Sequence, residues 1–93
     1  MQYVSDETHT FDNLSETPPS FQMRGGLYGI TAVATWDSGS VTLQRLSGDG
    51  TYVNVLALSE NDYATVYVPY GIYRLFVDAE ALYVEIESIA AGG

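Results

Sequence analysis

The chain of 93 residues has no cysteine and no lysine, one histidine, three prolines, and only three basic residues against 12 acidic ones. Without cysteine there is no disulfide, and with one histidine there is no tetrahedral shell for a structural zinc ion. Without lysine, and with a formal net charge of −9, the chain repels a phosphate backbone. Nucleic acid is therefore not an expected partner, and neither is an anionic membrane surface. No apolar run approaches the length of a membrane-spanning helix. The opening MQYVSDETHTFDN has neither a basic start nor a continuous apolar stretch, so no secretory leader is expected and synthesis in the cytoplasm is.

What is present in quantity is aromatic: eight Tyr, three Phe and one Trp. Most of it lies beyond residue 25, where short runs rich in Val, Tyr, Thr, Leu and Ile are separated by Gly, Asp, Ser and Asn. Six runs stand out, at 27–36, 40–46, 52–58, 64–69, 72–78 and 82–89. Tyr28, Ile30, Ala32, Ala34 and Trp36 alternate onto one face of the first run. Leu82, Val84 and Ile86 oppose Tyr83, Glu85 and Glu87 in the last. One dry face and one wet face predict antiparallel pairing. The stretches TWDSGSV, LSGDGTYV and VPYGIY read as tight turns, and DAEA at 78–81 as a short connection. The fold class expected is all-β: a compact antiparallel β-sandwich, jelly-roll-like or barrel-like, of about six to eight strands over 26–93.

Residues 1–25 read differently. The first 22 hold four acids and no base, the adjacent Pro18 and Pro19, and scattered apolar residues: Tyr3, Val4, Phe11, Leu14 and Phe21. Neither the 3.6 nor the 2.0 period persists, so the segment is expected to be an extended N-terminal arm. Its Phe11, Leu14 and Phe21 are expected to find their apolar contacts on a neighbouring subunit.

No catalytic residue, metal ligand or cofactor site is expected. His9 lies in the arm, with no nucleophile that a scaffold would hold beside it. Asp37, Asp49, Asp62, Asp78 and Glu80 cluster at turns, and Glu85 and Glu87 lie on an outer strand face, where acids solubilise or blunt sheet edges. SGDGT offers oxygen ligands to calcium without the spacing of a dedicated loop. The tyrosines point instead to contact with protein: Tyr67 and Tyr83 fall opposite the apolar faces and Tyr70 lies in a turn, which suits a surface that another molecule covers. Arg74 is expected to point outward beside Phe76.

The stretch RGGLYGITAVATWDSGSVTLQRLSGDGTYVNV, followed by ATVYVPYGIYRLFVDAEALYVEIESI, resembles the small all-β virion proteins encoded near the capsid genes of tailed bacteriophages. The resemblance rests on the order of features: a Gly-led strand ending in a Trp, a hairpin of the SVTLQRL type, the P-x-G-x-Y-R turn, and a final alternating strand. It spans residues 24–89. It implies a head decoration or cement protein on the capsid surface of the virion, with major capsid protein subunits as partners, a homotrimer favoured, and no catalytic residues. The alternative is a carbohydrate-binding or adhesin-type sandwich that uses Tyr70, Trp36 and loop acids.

Overall fold

The computed structural model describes residues 7–89, and every element in it is a strand: β1 (Thr8–Leu14), β2 (Phe21–Met23), β3 (Gly26–Leu46), β4 (Tyr52–Leu58), β5 (Asp62–Val68) and β6 (Gly71–Ser88). All pairings are antiparallel. The all-β expectation holds.

The architecture depends on two long strands that lie side by side and bend together. The first half of β3 pairs with the second half of β6, from Tyr28 opposite Ser88 to Thr35 opposite Glu80. Its second half pairs with the first half of β6, from Ser40 opposite Asp78 to Arg45 opposite Tyr73. Around this pair the sheet has two layers. In one, β1 flanks β6 and β5 flanks β3; in the other, β2 flanks β6 and β4 flanks β3.

The runs expected at 27–36 and 40–46 are thus one strand, and so are those at 72–78 and 82–89. TWDSGSV and DAEA are bends, not hairpins. At the first bend Asp37 and Ser38 take φ of 46° and 67°; at the second Ala81 takes 53°. These left-handed residues interrupt the ladder without ending it, as bulges do. They also shift the alternation. The buried residues of β3 are Tyr28, Ile30 and Ala32 before the bend and Val41 and Leu43 after it; those of β6 are Tyr73, Leu75 and Val77, then Leu82, Val84 and Ile86. The even-to-odd and odd-to-even switches keep the same side of the sheet inward through the fold-over. Both halves then contribute to a single core.

The connections agree with this plan. The LSGDGTYV turn is a true hairpin. Gly50 sits at φ 91°, and Asp49 Oδ1 accepts the Thr51 amide at 2.9 Å. That carboxylate serves the turn itself. VPYGIY does not join paired strands, because β5 pairs with β3 in one layer while β6 starts in the other.

The expected arm over 1–25 is corrected by the structure. Within the described residues, β1 pairs with β6 from Thr8 opposite Glu87 to Leu14 opposite Leu82. β2 pairs with β6 from Phe21 opposite Tyr73 to Met23 opposite Gly71. Met23 is fully buried; Phe11, Leu14 and Phe21 pack against the core. The physical reason is that β6 is long enough to offer an edge in both layers, so even a three-residue strand finds a ladder. Tyr3 and Val4 lie outside the described residues.

At the bend the two long strands approach so closely that a Cβ on Gly39 would run into the Asp78 carbonyl oxygen. Gly39→Ala is expected to destabilise the fold by about 3 kcal/mol or more. Chemical denaturation measures this, and a loss under about 1 kcal/mol would mean that the bend accommodates a side chain.

Candidate functional site

Three places on the molecule carry polar or aromatic groups beyond what the core needs. The first is a clamp that closes the N-terminal strand onto the body. Glu7 is its centre. One carboxylate oxygen accepts the Arg24 amide at 3.0 Å, Arg24 Nε at 3.2 Å and the Tyr28 hydroxyl at 3.1 Å. The other lies 2.6 Å from His9 Nε2. The Glu7 amide donates to Ser88 Oγ at 3.0 Å, and the Ser88 amide donates to the Glu7 carbonyl at 2.8 Å. His9 also leans on Phe21, ring centroids 4.8 Å apart, and Phe21 on Phe11 at 5.4 Å. Histidine, arm aromatics and acid therefore meet at one inner edge.

Burial alone would raise the Glu7 pKa, but the hydrogen bonds from His9, Arg24 and Tyr28 together outweigh it and hold the carboxyl below 4.5. Tyr28 is driven the other way, by burial and then by Glu7, to about 12. It remains a neutral donor at any ordinary pH.

The start of β3 and the start of β6 repeat one device. In Gly26-Leu27-Tyr28 and Gly71-Ile72-Tyr73, each tyrosine is buried and donates its hydroxyl to a carbonyl four residues upstream. Tyr28 lies 2.7 Å from the Arg24 carbonyl, its one proton shared between that oxygen and Glu7, and Tyr73 reaches Pro69 at 2.5 Å. The recurring Gly-aliphatic-Tyr triplet was the signal available for this, and sequence reading passed over it. Burial raises the Tyr73 pKa, with Arg45 beside it acting in the opposite direction.

The second place is the outer face of the β1–β6–β3–β5 layer. Tyr67 is 71% exposed and Tyr63 55%, both on β5. Tyr83 is half-buried and donates to Glu85 at 3.3 Å. Register places Tyr67 opposite Leu27 and Tyr63 opposite Thr31, and Tyr83 opposite Val33. Tyr67 and Tyr83 thus share a face but stand toward its opposite ends, with Tyr63 between. Sequence analysis did not single out Tyr63. Its phenol lies over Gly29, where any side chain would collide with the ring.

Tyr70 is elsewhere, at the β5–β6 corner, where its hydroxyl accepts Gln22 Nε2. It belongs to the third place, the outer face of the other layer. Here Arg74 lies 4.0 Å from the Tyr52 ring centroid, and its Nε donates to Gln44 at 2.7 Å. Gln44 in turn donates to Asn54 at 2.9 Å. Phe76, 47% exposed, completes the row. As expected, Arg74 faces outward.

Trp36 does not form a surface platform. It is half-buried, packs on the core, and donates its Nε1 to Asn61 at 2.8 Å. Beside it a recess of about 260 Å³ opens at the bend, lined among others by Ser15, Asp37, Asp78 and Glu80. Asp37, Asp78 and Glu80 collect at this end, with Asp62 nearby opposite Ala32; Asp49, in the β3–β4 hairpin, lies at the other end, as do Arg24, Arg45 and Arg74, near the start of β3 and where the end of β3 meets the start of β6. The chain is therefore polarised along its length.

No protein-family model, curated protein or solved structure matches this chain.

The clamp has a calculable pH dependence. The folded carboxyl holds its proton less tightly than the unfolded one, so the stability that Glu7 contributes is whole above pH 4.5 and drains away as pH falls through the lowered value. Glu7→Gln is expected to cost about 2 kcal/mol at neutral pH and to flatten the acid limb of stability against pH. Urea unfolding from pH 3 to 7 measures both.

Proposed function

We propose that this chain is a non-enzymatic virion structural protein, a capsid decoration or cement protein that binds and bridges capsid subunits at the capsid surface. The observation that carries the proposal is the outer face of the β1–β6–β3–β5 layer. Tyr63, Tyr67 and Tyr83 stand on it among threonines and Val33, with Glu85 and Glu87 along one side. Tyrosine gives a large apolar body at low entropic expense and a hydroxyl that accepts imperfect partners, the composition of a surface that another protein covers. The charge polarity of the molecule supports this reading, since it would orient approach to a complementary lattice. The resemblance of residues 24–89 to small phage virion proteins points the same way.

The contact falls to Tyr67 and Tyr83 on this reading, not to Phe11, Leu14 and Phe21, whose apolar surface already meets the chain's own core. Co-sedimentation with capsid shells lacking the protein tests it. The wild-type chain is expected to bind saturably, and Tyr67→Ala with Tyr83→Ala to weaken binding at least about tenfold. A wild-type chain that stays in the supernatant, or a double variant that binds undiminished, rejects the proposal.

One observation favours the second reading, a carbohydrate-binding module: the row of Arg74, Tyr52, Gln44, Asn54 and Phe76. Its amide and guanidinium groups are tied together by hydrogen bonds beside exposed Phe76, polar groups and an aromatic ring that could serve a sugar. On this reading a glycan array detects saturable binding that Arg74→Ala abolishes, whereas the capsid reading expects no saturable glycan.

A further inference from the structure

The two sides of the sheet end in very different edges. On one side β2 is only three residues long. Its neighbour β1 carries His9 and Asp12, and its ladder breaks between Phe11 and Leu14, where Asn13 takes φ 55°. Short, charged and bulged strands are how sheets avoid unwanted pairing. On the other side β5, DYATVYV, has one charge, Asp62 at its first position. Among the described residues it pairs with β3 alone, through seven consecutive partners with no shift in register, from Gly26 opposite Val68 to Ala32 opposite Asp62. β4 shares this side but is bulged opposite Leu43 and Gln44. In a chain with 12 acids among 93 residues, a regular edge so nearly free of charge stands apart.

The direction of the free backbone groups can be worked out. The Ile89 amide donates to the Leu27 carbonyl at 2.9 Å, so at Leu27 the β3 backbone turns toward β6. By alternation, Gly29 and Thr31 do the same. Their partners on β5, Tyr67, Thr65 and Tyr63, are therefore the non-hydrogen-bonded ones, and their own N–H and C=O groups face the open edge. The Tyr63 amide agrees, since it is taken by the Asp62 carboxylate at 2.7 Å.

The three edge-facing residues, Tyr63, Thr65 and Tyr67, read the same in both directions. About Thr65 the strand is Tyr-Ala-Thr-Val-Tyr, residues 63–67. We propose that β5 is a self-pairing edge, at which a second copy of this chain adds antiparallel about a two-fold axis through Thr65. Tyr63 then faces Tyr67 of the second copy and Thr65 faces Thr65; the Thr65 pair exchanges two backbone hydrogen bonds, and each tyrosine pair does so once the Tyr63 amide leaves the Asp62 carboxylate. The tyrosines form cross-strand aromatic pairs on the outer face. On the inner face Ala64 meets Val66, both half-buried in the single chain, small against large. The two Asp62 carboxylates lie at opposite ends of the ladder. Such an interface is isologous and closes as a pair, in place of the three-fold ring that the virion resemblance implies. It also sets two tyrosine faces side by side, but it holds whether or not the chain sits on a capsid.

Sedimentation velocity on the purified full chain, from micromolar to millimolar concentration, tests the proposal without any capsid. The wild type is expected to pass from monomer to dimer. Thr65→Pro removes an amide hydrogen that the monomer does not use, so it is expected to keep the circular dichroism and melting of the dilute wild type while weakening dimerisation at least about tenfold. Thr65→Lys sets two like charges on the axis and is expected to do the same, which keeps the test valid if the proline variant fails to fold. Oxidation of Thr65→Cys in this cysteine-free chain is expected to yield a covalent dimer, since directly opposed strand residues fall within disulfide reach, while Thr10→Cys on the opposite edge yields none. A wild type that stays monomeric throughout overturns the proposal. So does a folded Thr65→Lys chain that dimerises like the wild type, or a Thr10→Cys chain that cross-links as readily as Thr65→Cys.

Discussion

Everything in this molecule follows from the requirement that β3 and β6 bend at the same place. Each passes through both layers, and each is the other's principal hydrogen-bonding partner on both sides of the bend. A kink in one alone would tear the ladder, so the left-handed residues Asp37 and Ser38 in β3 are answered by Ala81 in β6, and Gly39 clears the space between them. The shared strands also remove the weakness of a small sandwich, whose sheets ordinarily touch only through side chains. Here the layers are joined by continuous backbone. That is how a domain with no disulfide can close one core from Met23, Tyr28, Leu75 and Ile86.

The same constraint explains what the sequence disclosed and what it hid. Local alternation is a property of strands, so the buried sets Tyr28-Ile30-Ala32 and Leu82-Val84-Ile86 were legible, and with them the all-β class. Whether a turn signal reverses the chain or bends it is not local. Asp-Ser-Gly and Ser-Gly-Asp-Gly look alike on the page, yet the first continues a strand and the second closes a hairpin, and the difference lies in the partner strand. The N-terminal segment was misread for a related reason. Phe11, Leu14 and Phe21 show no period because a bulge at Asn13 and the Pro18-Pro19 connection break it, while their pairing strand lies roughly 50 to 70 positions away. Glu7 was unreadable as a clamp, since its partners Arg24, Tyr28 and Ser88 are scattered along the sequence.

The division of labour between the faces follows from the topology. Inner positions are spent on the core, so whatever the chain does in contact with other molecules falls to outer faces and edges. Tyr63, Tyr67 and Tyr83 occupy one outer face; an arginine stacked on Tyr52, with its amide tethers, occupies the other. Of the predicted contact residues, Tyr67, Tyr70 and Tyr83 stand on outer faces, as does Tyr63, while Phe11, Leu14 and Phe21 pack against the core. The arm aromatics serve as mortar within the chain.

The central claim, that two shared strands make the layers one cooperative body, is tested most directly by native-state hydrogen exchange on the isolated chain. The account predicts that the hydrogen-bonded amides of residues 26–35 and of residues 40–46 open with the same free energy and respond equally to denaturant. If one side of the bend exchanges through a separate opening of distinctly lower energy while the other stays protected, the layers are independent and the account is contradicted.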